Sequence, residues 1–314
     1  MILSQENKEK KEVLVLLDSH AILHRAFHAL PNFTSPSGEP TGALYGFSAF
    51  LLKIVREINP DYIAACYDLP EPTFRHIAYE QYKIKRPKMD DVLAKQINRS
   101  RDILKAFHIP IFAIPGFEAD DMLGSIVSQL KQNSDSSISI PKVIIASGDL
   151  DTLQLVRDDD VVVYTLSKGI KESVIYNEEE VYKRYGFGPQ LIPDFKALRG
   201  DPSDNIIGVK GIGEKTAIDL IKKFGSLENI YKVLKEDEEK IKEAGFKERI
   251  INLLKEYEED AFFSKTLAEI RGDAPISFSL KECKWSGDTD RVAVEKIFNE
   301  LGFKSLITRM NTLL

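Results

Sequence analysis

The sequence predicts an α/β fold in which short buried strands alternate with amphipathic helices and acidic side chains gather where the strands end. Three observations predict it. Continuous apolar runs at Val13 to Leu17, Tyr62 to Tyr67 and Lys142 to Ala146 are of the kind found in strands covered on both faces. The segments between them, such as LYGFSAFLLKIVREI and MLGSIVSQL, repeat their apolar residues at helical spacing. Each run is followed by carboxylates: Asp18, Asp68, and Asp149 with Asp151. In open α/β sheets that carboxyl edge is where ligands bind.

Length and composition bound the rest. With 314 residues, 43% of them hydrophobic, the chain can bury a sizeable core as one large domain with a smaller lobe or as two domains. Residues 1–12 are too polar for a signal peptide and are expected to be a disordered tail, and no apolar run approaches the length of a transmembrane helix. Cys66 and Cys283 form no CxxC pair, which argues against a disulfide framework or zinc knuckle and for a cytoplasmic protein. A net charge of -6 argues mildly against a nucleic-acid partner. Its distribution argues the other way, because Thr73 to Lys105 holds nine Lys and Arg against four acids.

In chain order, Asp18 ends the first strand and SHAILHRAFHAL follows as a helix. His20, His24 and His28 share its face, but eight residues of helix span about 12 Å, too far for all three to ligate one zinc ion. Arg25 on this helix is a candidate for reaching a phosphate. LPNFTSPSGEPTGA is a loop, and the next helix is ended by Pro60. The second strand delivers Asp68. Residues 71–92 interleave Arg75, Lys83, Lys85, Arg86 and Lys88 with Phe74, Tyr79 and Tyr82, a composition that neutralises phosphates and stacks on bases, or else simply coats a solvated helix. Pro87 bends this segment, and a further helix runs from Asp90 to Phe107.

PGFEADD puts Glu118, Asp120 and Asp121 at the first turn of a buried helix. Taken alone, those acids could serve the helix macrodipole and its free N–H groups. A polar connector over 131–141 leads to the third strand, and SGDLDTLQL turns Asp149 and Asp151 toward one point. VVVYTL and ESVIYN form a strand pair around SKGIK, followed by helices from Glu178 to Tyr185 and from Pro189 to Leu198. RGDPSDNIIGVKGIGEKTA then brings Asp201 and Asp204 and a glycine turn through Gly208, Gly211 and Gly213, with Lys210, Lys215 and Thr216 beside a helix N-terminus able to hold phosphate. Spacing excludes both a Walker A loop and a dinucleotide fingerprint. A helix-hairpin-helix turn gripping a nucleic-acid backbone fits, as does an ordinary glycine-capped turn. Beyond Leu234 the chain reads as charged amphipathic helices, with a strand at APISFSL. Nine carboxylates at element ends, Asp18, Asp68, Glu118, Asp120, Asp121, Asp149, Asp151, Asp201 and Asp204, suit hard divalent cations better than a core.

The motifs LLDSHAILHRAFHALP, GEPTGALYGF, YDLPEPTFRHIAYEQYKIKRP, PGFEADDMLG, ASGDLDTLQL and RGDPSDNIIGVKGIGEKTA occur in order and together resemble the 5′ nuclease (5′→3′ exonuclease) domain of bacterial DNA polymerase I, in the flap endonuclease superfamily. The resemblance runs from about residue 13 to the end. It implies a central, mostly parallel PIN-like sheet between helices over 13–185, an arch at about 73–107, and a helix-hairpin-helix lobe with C-terminal helices over 186–314. It makes the nine carboxylates metal ligands and places Arg25, Arg75, Tyr82, Lys83 and Arg86 at substrate-contacting or arch positions. Gly211 and Gly213 fall on its duplex-binding loop, where K⁺ can sit. Ser19 departs from the Gly or Asn usual after the first acid, and the proofreading and polymerase domains of such proteins are absent from this sequence.

The expected activity is phosphodiester hydrolysis at or near a 5′ end, leaving a 5′-phosphate, with two or more Mg²⁺ or Mn²⁺ ions roughly 3.5 to 4 Å apart. Lys83 and Arg86 would stabilise charge on the reacting phosphate. Partners would be DNA with a 5′ flap, nick or free 5′ end, with RNA primers also in play, and the chain would be a monomer acting with or fused to a DNA polymerase. A binding module without catalysis would not need the full acid set, and a small-molecule phosphatase would need neither arch nor hairpin.

Overall fold

The structure, a computed structural model, describes residues 11–132, 140–168, 172–285 and 289–313. Most of the expected tail, the middle of the polar connector and the tip of the strand pair lie outside them. Six strands, β1 (Val13–Asp18), β2 (Tyr62–Cys66), β3 (Ile111–Phe112), β4 (Lys142–Ala146), β5 (Val161–Lys168) and β6 (Glu172–Tyr176), form one sheet in the order β3-β2-β1-β4-β5-β6. All neighbours are parallel except β5 and β6. Sequence order runs outward from β1 through β2 to β3 and then resumes at β4 on the other side. A crevice therefore opens at the carboxyl ends of β1 and β4.

Alternation along β1 divides the core. Leu14 and Leu16 face one layer while Val15 and Leu17 face the other, and none is more than 1% exposed. This two-sided burial is why the strand reads as an unbroken apolar run. The Val15 and Leu17 layer contains α1 (Ser19–Ala29), α2 (Gly42–Ile58) and, after the short α3 (Phe74–Ala78), α4 (Asp91–Ala106). Asn59, in the left-handed conformation at φ 48°, ends α2 just before Pro60. The Leu14 and Leu16 layer begins with α5 (Ala119–Gln132), whose Met122, Leu123, Ile126 and Val127 are buried. α6 (Glu178–Tyr185), α7 (Ile192–Arg199), α8 (Glu214–Phe224), α9 (Leu227–Glu236), α10 (Glu238–Glu243), α11 (Glu248–Glu256) and α12 (Glu258–Ala268) extend the same apolar layer. α13 (Arg291–Glu300) and α14 (Lys304–Leu313) return to the opposite layer against α4 and α2.

Between α7 and α8 the chain makes a tight hairpin closed by mutual backbone hydrogen bonds of Asp201 and Ile206, 2.9 Å each. Its two arms press together at Gly200 and Gly208, which have positive φ of 77° and 66°. A Cβ on Gly208 would lie 2.2 Å from the Gly200 nitrogen, so only glycine fits. The strand expected at APISFSL is not formed. That segment instead lies along α5 and gives its backbone groups to side chains: Ala274 N–H donates to Ser125 Oγ (2.8 Å) and the Ile276 carbonyl accepts from Gln129 (3.0 Å). Side-chain partners leave no need for a strand neighbour. No helix among the described residues is long and apolar enough to cross a membrane.

Candidate active site

Asp18 ends β1 and caps α1, accepting from Ala21 N–H at 3.1 Å. Its other oxygen accepts from Ser147 Oγ at 2.6 Å, across the crevice just past β4. Asp68, beyond β2, accepts from Ala119 N–H at 2.6 Å, so it supplies the cap that begins α5. Its own backbone N–H donates to His20 Nδ1 at 3.1 Å, which gives His20 a structural partner. Asp149 caps the 3₁₀ turn after β4 by accepting from Asp151 N–H at 2.9 Å.

These carboxylates converge. Burial pushes the Asp120 carboxyl well above the ordinary range, and the negative charges of Asp18, Asp149, Asp151 and Glu118 push it further. Burial likewise lifts Asp18 to about 7 against the opposing hydrogen bonds of Ser147 and Ala21, with Asp68 and Asp149 adding to the rise. Burial outweighs the Lys196 ammonium at Asp151, which stands at about 6. Asp201 goes the other way: although burial raises it, Lys196 and Ser203 hold it at about 2. Asp151, Asp201 and Asp204 each offer an oxygen within 4.8 Å of the others and can hold a metal ion. An all-carboxylate donor set whose members repel one another suits a hard divalent cation.

Cations border the acids on one side. Lys83 Nζ donates to Glu118 at 2.8 Å and lies 3.7 Å from Asp204, while Arg86 reaches Asp204 at 2.5 Å. The Lys83 backbone N–H donates to the Asp204 carbonyl at 2.8 Å, which docks the basic segment on the hairpin. Tyr82 is buried, its hydroxyl donating to Glu118 (3.2 Å) and Asp204 (3.0 Å). Arg86 is exposed, and a cleft bordered by Arg75, Tyr82, Glu118, Asp120, Asp151 and Asp204 opens beside it.

Asp121 and Arg75 are set differently from their neighbours. Asp121 is fully buried and meets the Arg75 guanidinium through two bonds of 2.8 and 3.0 Å. Its oxygens also accept from the backbone N–H groups of Glu118 (2.9 Å) and Arg271 (3.0 Å). Arg75, 3% exposed, further donates to the carbonyls of Leu267 and Glu269. Asp121 faces inward, away from solvent, whereas Arg75 also borders the cleft and reaches the Glu118 carboxylate at 3.5 Å. Arg25 runs beside Gly148, its Cδ 3.5 Å from where a Cβ on that glycine would lie. Lys210, Gly211, Gly213 and Lys215 are exposed on the turn entering α8 and Thr216 is half-buried, while Gly213 begins the helix with no side-chain cap.

Two participants escaped the sequence reading. Lys196, in α7, is only 8% exposed and contacts Asp151 and, at 2.6 Å, Asp201. Ser147 joins Asp18 to the Asp149 turn, whose N–H donates to its Oγ at 2.9 Å. A serine in ASGD resembles any turn residue, and a lysine in FKALRG any surface charge.

Residues 13–186 match the family model of the 5′-3′ exonuclease N-terminal, resolvase-like domain, and residues 187–291 that of the 5′-3′ exonuclease C-terminal SAM fold. DNA polymerase I of Bacillus caldotenax is 38% identical over 303 residues, and that of Caldicellulosiruptor bescii 40% identical over 299. These alignments cover 96% and 95% of this chain but 33% of each relative, so the chain spans about a third of the length of the curated relatives it matches. Among solved structures, the bacteriophage T5 flap endonuclease, in a pseudo-enzyme–product complex with DNA and metal ions, superposes with a TM-score of 0.64 at 18% identity. That match covers 96% of this chain and 98% of the other, and it concerns the fold.

Proposed function

We propose, for a chain that belongs to the 5′-3′ exonuclease family and is a nuclease, that it hydrolyses DNA phosphodiesters at or near a 5′ end with divalent cations and leaves a 5′-phosphate. One observation carries the reading: carboxylates from separate segments surround Asp120, beside the lysine and arginine of residues 79–86. Asp18, Asp68, Asp120 and Asp149 would hold one ion, and Asp151, Asp201 and Asp204 with Glu118 a second, Mg²⁺ or Mn²⁺ being the suitable species. Bound there, such ions supply positive charge for the phosphate oxygens and a water acidified enough to attack. Asp121 holds the entry to α5, where Glu118 and Asp120 sit.

Lys83 and Arg86 rest on Glu118 and Asp204 and can turn to a phosphate entering the cleft, neutralising charge that grows as the bond breaks. Arg25, beside Gly148, offers a further phosphate contact. The turn through Gly211 and Gly213, with Lys210, Lys215, Thr216 and the free N–H groups of α8, would grip a duplex backbone without reading its bases, with K⁺ a candidate ion there. The T5 relative, solved with DNA and metal ions, supports this reading. It extends to 5′-flap and nicked duplexes, to RNA primers, to a cytoplasmic monomer working with or fused to a DNA polymerase, and to a core ending near residue 185 with a duplex-binding part beyond.

The direct experiment compares cleavage of a 5′-flap duplex, a nicked duplex and single-stranded DNA, each with Mg²⁺ and with EDTA. Cleavage of the flap and nick in Mg²⁺ alone, with 5′-phosphate products, is expected. Equal cleavage in EDTA, or none of any substrate, would overturn the proposal.

A further inference from the structure

The acid cluster has two unequal halves. Asp18, Asp120 and Asp149 form no ion pair among the described residues; what surrounds them is hydrogen-bond donors and further carboxylates, Asp68 at Asp18 and Asp151 and Glu118 at Asp120 among them. Asp151, Asp201 and Asp204 offer three converging oxygens, yet each already touches a cation of the chain itself. Arg86 and Lys83 stand at the rim, where a phosphate can draw them away. Lys196 cannot leave so easily. It is 8% exposed, rises from α7 beneath the hairpin, and its Nζ bridges Asp151 and Asp201, the latter at 2.6 Å. A buried ammonium is stable only while such partners compensate it.

We propose that Lys196 is a built-in counter-ion: its ammonium holds Asp151 and Asp201 in place and makes their half of the cluster the weaker of the two for a divalent cation. Lys196 is thus a positioning residue, acting through the carboxylates it bridges. The inference rests on the metal-dependent reading above. It adds that the two halves fill in order, Asp18, Asp120 and Asp149 first, because an incoming ion meets the Lys196 charge only in the second half.

Mn²⁺ titration of the whole chain, followed by electron paramagnetic resonance and calorimetry, separates the possibilities. The wild type should bind a tighter and a weaker ion, and Asp201→Asn should remove the weaker alone. Lys196→Met, which keeps the length and loses the charge, should tighten the weaker ion by at least about fivefold, the coupling of two unit charges about 4 Å apart even at the dielectric of water. Lys196→Arg should leave both affinities within about twofold, since it retains the charge. An unchanged or weakened second ion in Lys196→Met, or equal tightening in both variants, overturns the proposal. Should Lys196→Met fold only with metal, the Mn²⁺ midpoint of its refolding is read with and without Asp201→Asn. A midpoint raised by Asp201→Asn supports the proposal and an unmoved one defeats it. A wild type that binds no Mn²⁺ would instead remove the metal-dependent reading.

Discussion

Asp120 shows what the site asks of a single side chain. It is crowded by Asp18, Asp149, Asp151 and Glu118, so its charge is stable only when a cation arrives to share it. Asp120→Ala or Asp149→Ala should therefore lower the single-turnover cleavage rate more than about 10³-fold while a gel-shift assay still detects DNA binding. Undiminished turnover in either variant would remove the assigned site. The same crowding sets a pH dependence. Asp18, at about 7, and Asp151, at about 6, are both raised above the unfolded value near 3.8, so the native state holds more protons than the unfolded chain between about pH 4 and 7. Their stabilising contribution is complete below pH 4 and is lost as pH rises through 6 and 7. Asp201, at about 2, contributes in the opposite sense, and its contribution is lost only as pH falls below about 4. In EDTA the melting temperature should accordingly fall from pH 5 to pH 8, and Mg²⁺ should restore it most at pH 8. A flat EDTA profile would mean the carboxylates do not crowd as described. At this scale the acids were legible because a carboxylate at a strand end stands out in any sequence. The partners that sort them were not: Arg75 and Asp121 lie 46 positions apart, and only folding brings them together.

Elements succeed or fail by how they hold the loops that carry these side chains. α3 contributes Arg75, α5 contributes Asp121, the last turn of α12 contributes the Leu267 carbonyl, and the chain after it contributes the Glu269 carbonyl and the Arg271 N–H. This bracket fixes the start of α5, with Glu118 just before it and Asp120 in its first turn, since Asp121 accepts directly from the Glu118 N–H. Asp121→Ala removes the two-bond partner of a buried guanidinium and leaves it only the Glu118 carboxylate at 3.5 Å, which should cost about 3 kcal/mol in urea unfolding and slow cleavage even at saturating Mg²⁺. A loss below about 1 kcal/mol would show that the pair is not buried as a unit. At the start of α8 the expectation is different in kind. Lys215→Ala should weaken duplex binding and reduce the salt dependence by about one phosphate contact, without altering stability, because the residue is exposed. The main strands and helices could be read from their periodicity, α6 to the residue. The segment at 274–280 could not, because its alternation suits a strand and its actual partners, Ser125 and Gln129, sit on a helix.

For the molecule as a whole, the question is which parts are dispensable, and the packing answers differently from the motifs. The recognisable motifs end before residue 230, and the two family models together end at 291. Yet α13 and α14 complete the apolar layer on the Val15 and Leu17 side of the sheet, against α2 and α4. Val294, Phe298, Leu301, Phe303, Leu306 and Met310 are all at most 3% exposed there. Each large apolar side chain removed from water stabilises the fold by about 1.5–3 kcal/mol, an upper bound where the unfolded chain is itself compact. Six together rival or exceed the roughly 5–15 kcal/mol net stability of an ordinary domain. Nothing in the C-terminal sequence announced this, since an amphipathic helix reveals that it has a partner but not which one. A chain ending at residue 288 should thus lose its cooperative unfolding transition and bind an apolar dye, although every proposed metal ligand is still present. Nuclease activity should fall with it, because α2 and α4, which belong to the layer covering β1 and β4 on that side, would lose the helices packed against them. If the truncated chain melts cooperatively within a few degrees of the full one, the C-terminal helices are an appendage and α2 and α4 need no support from them.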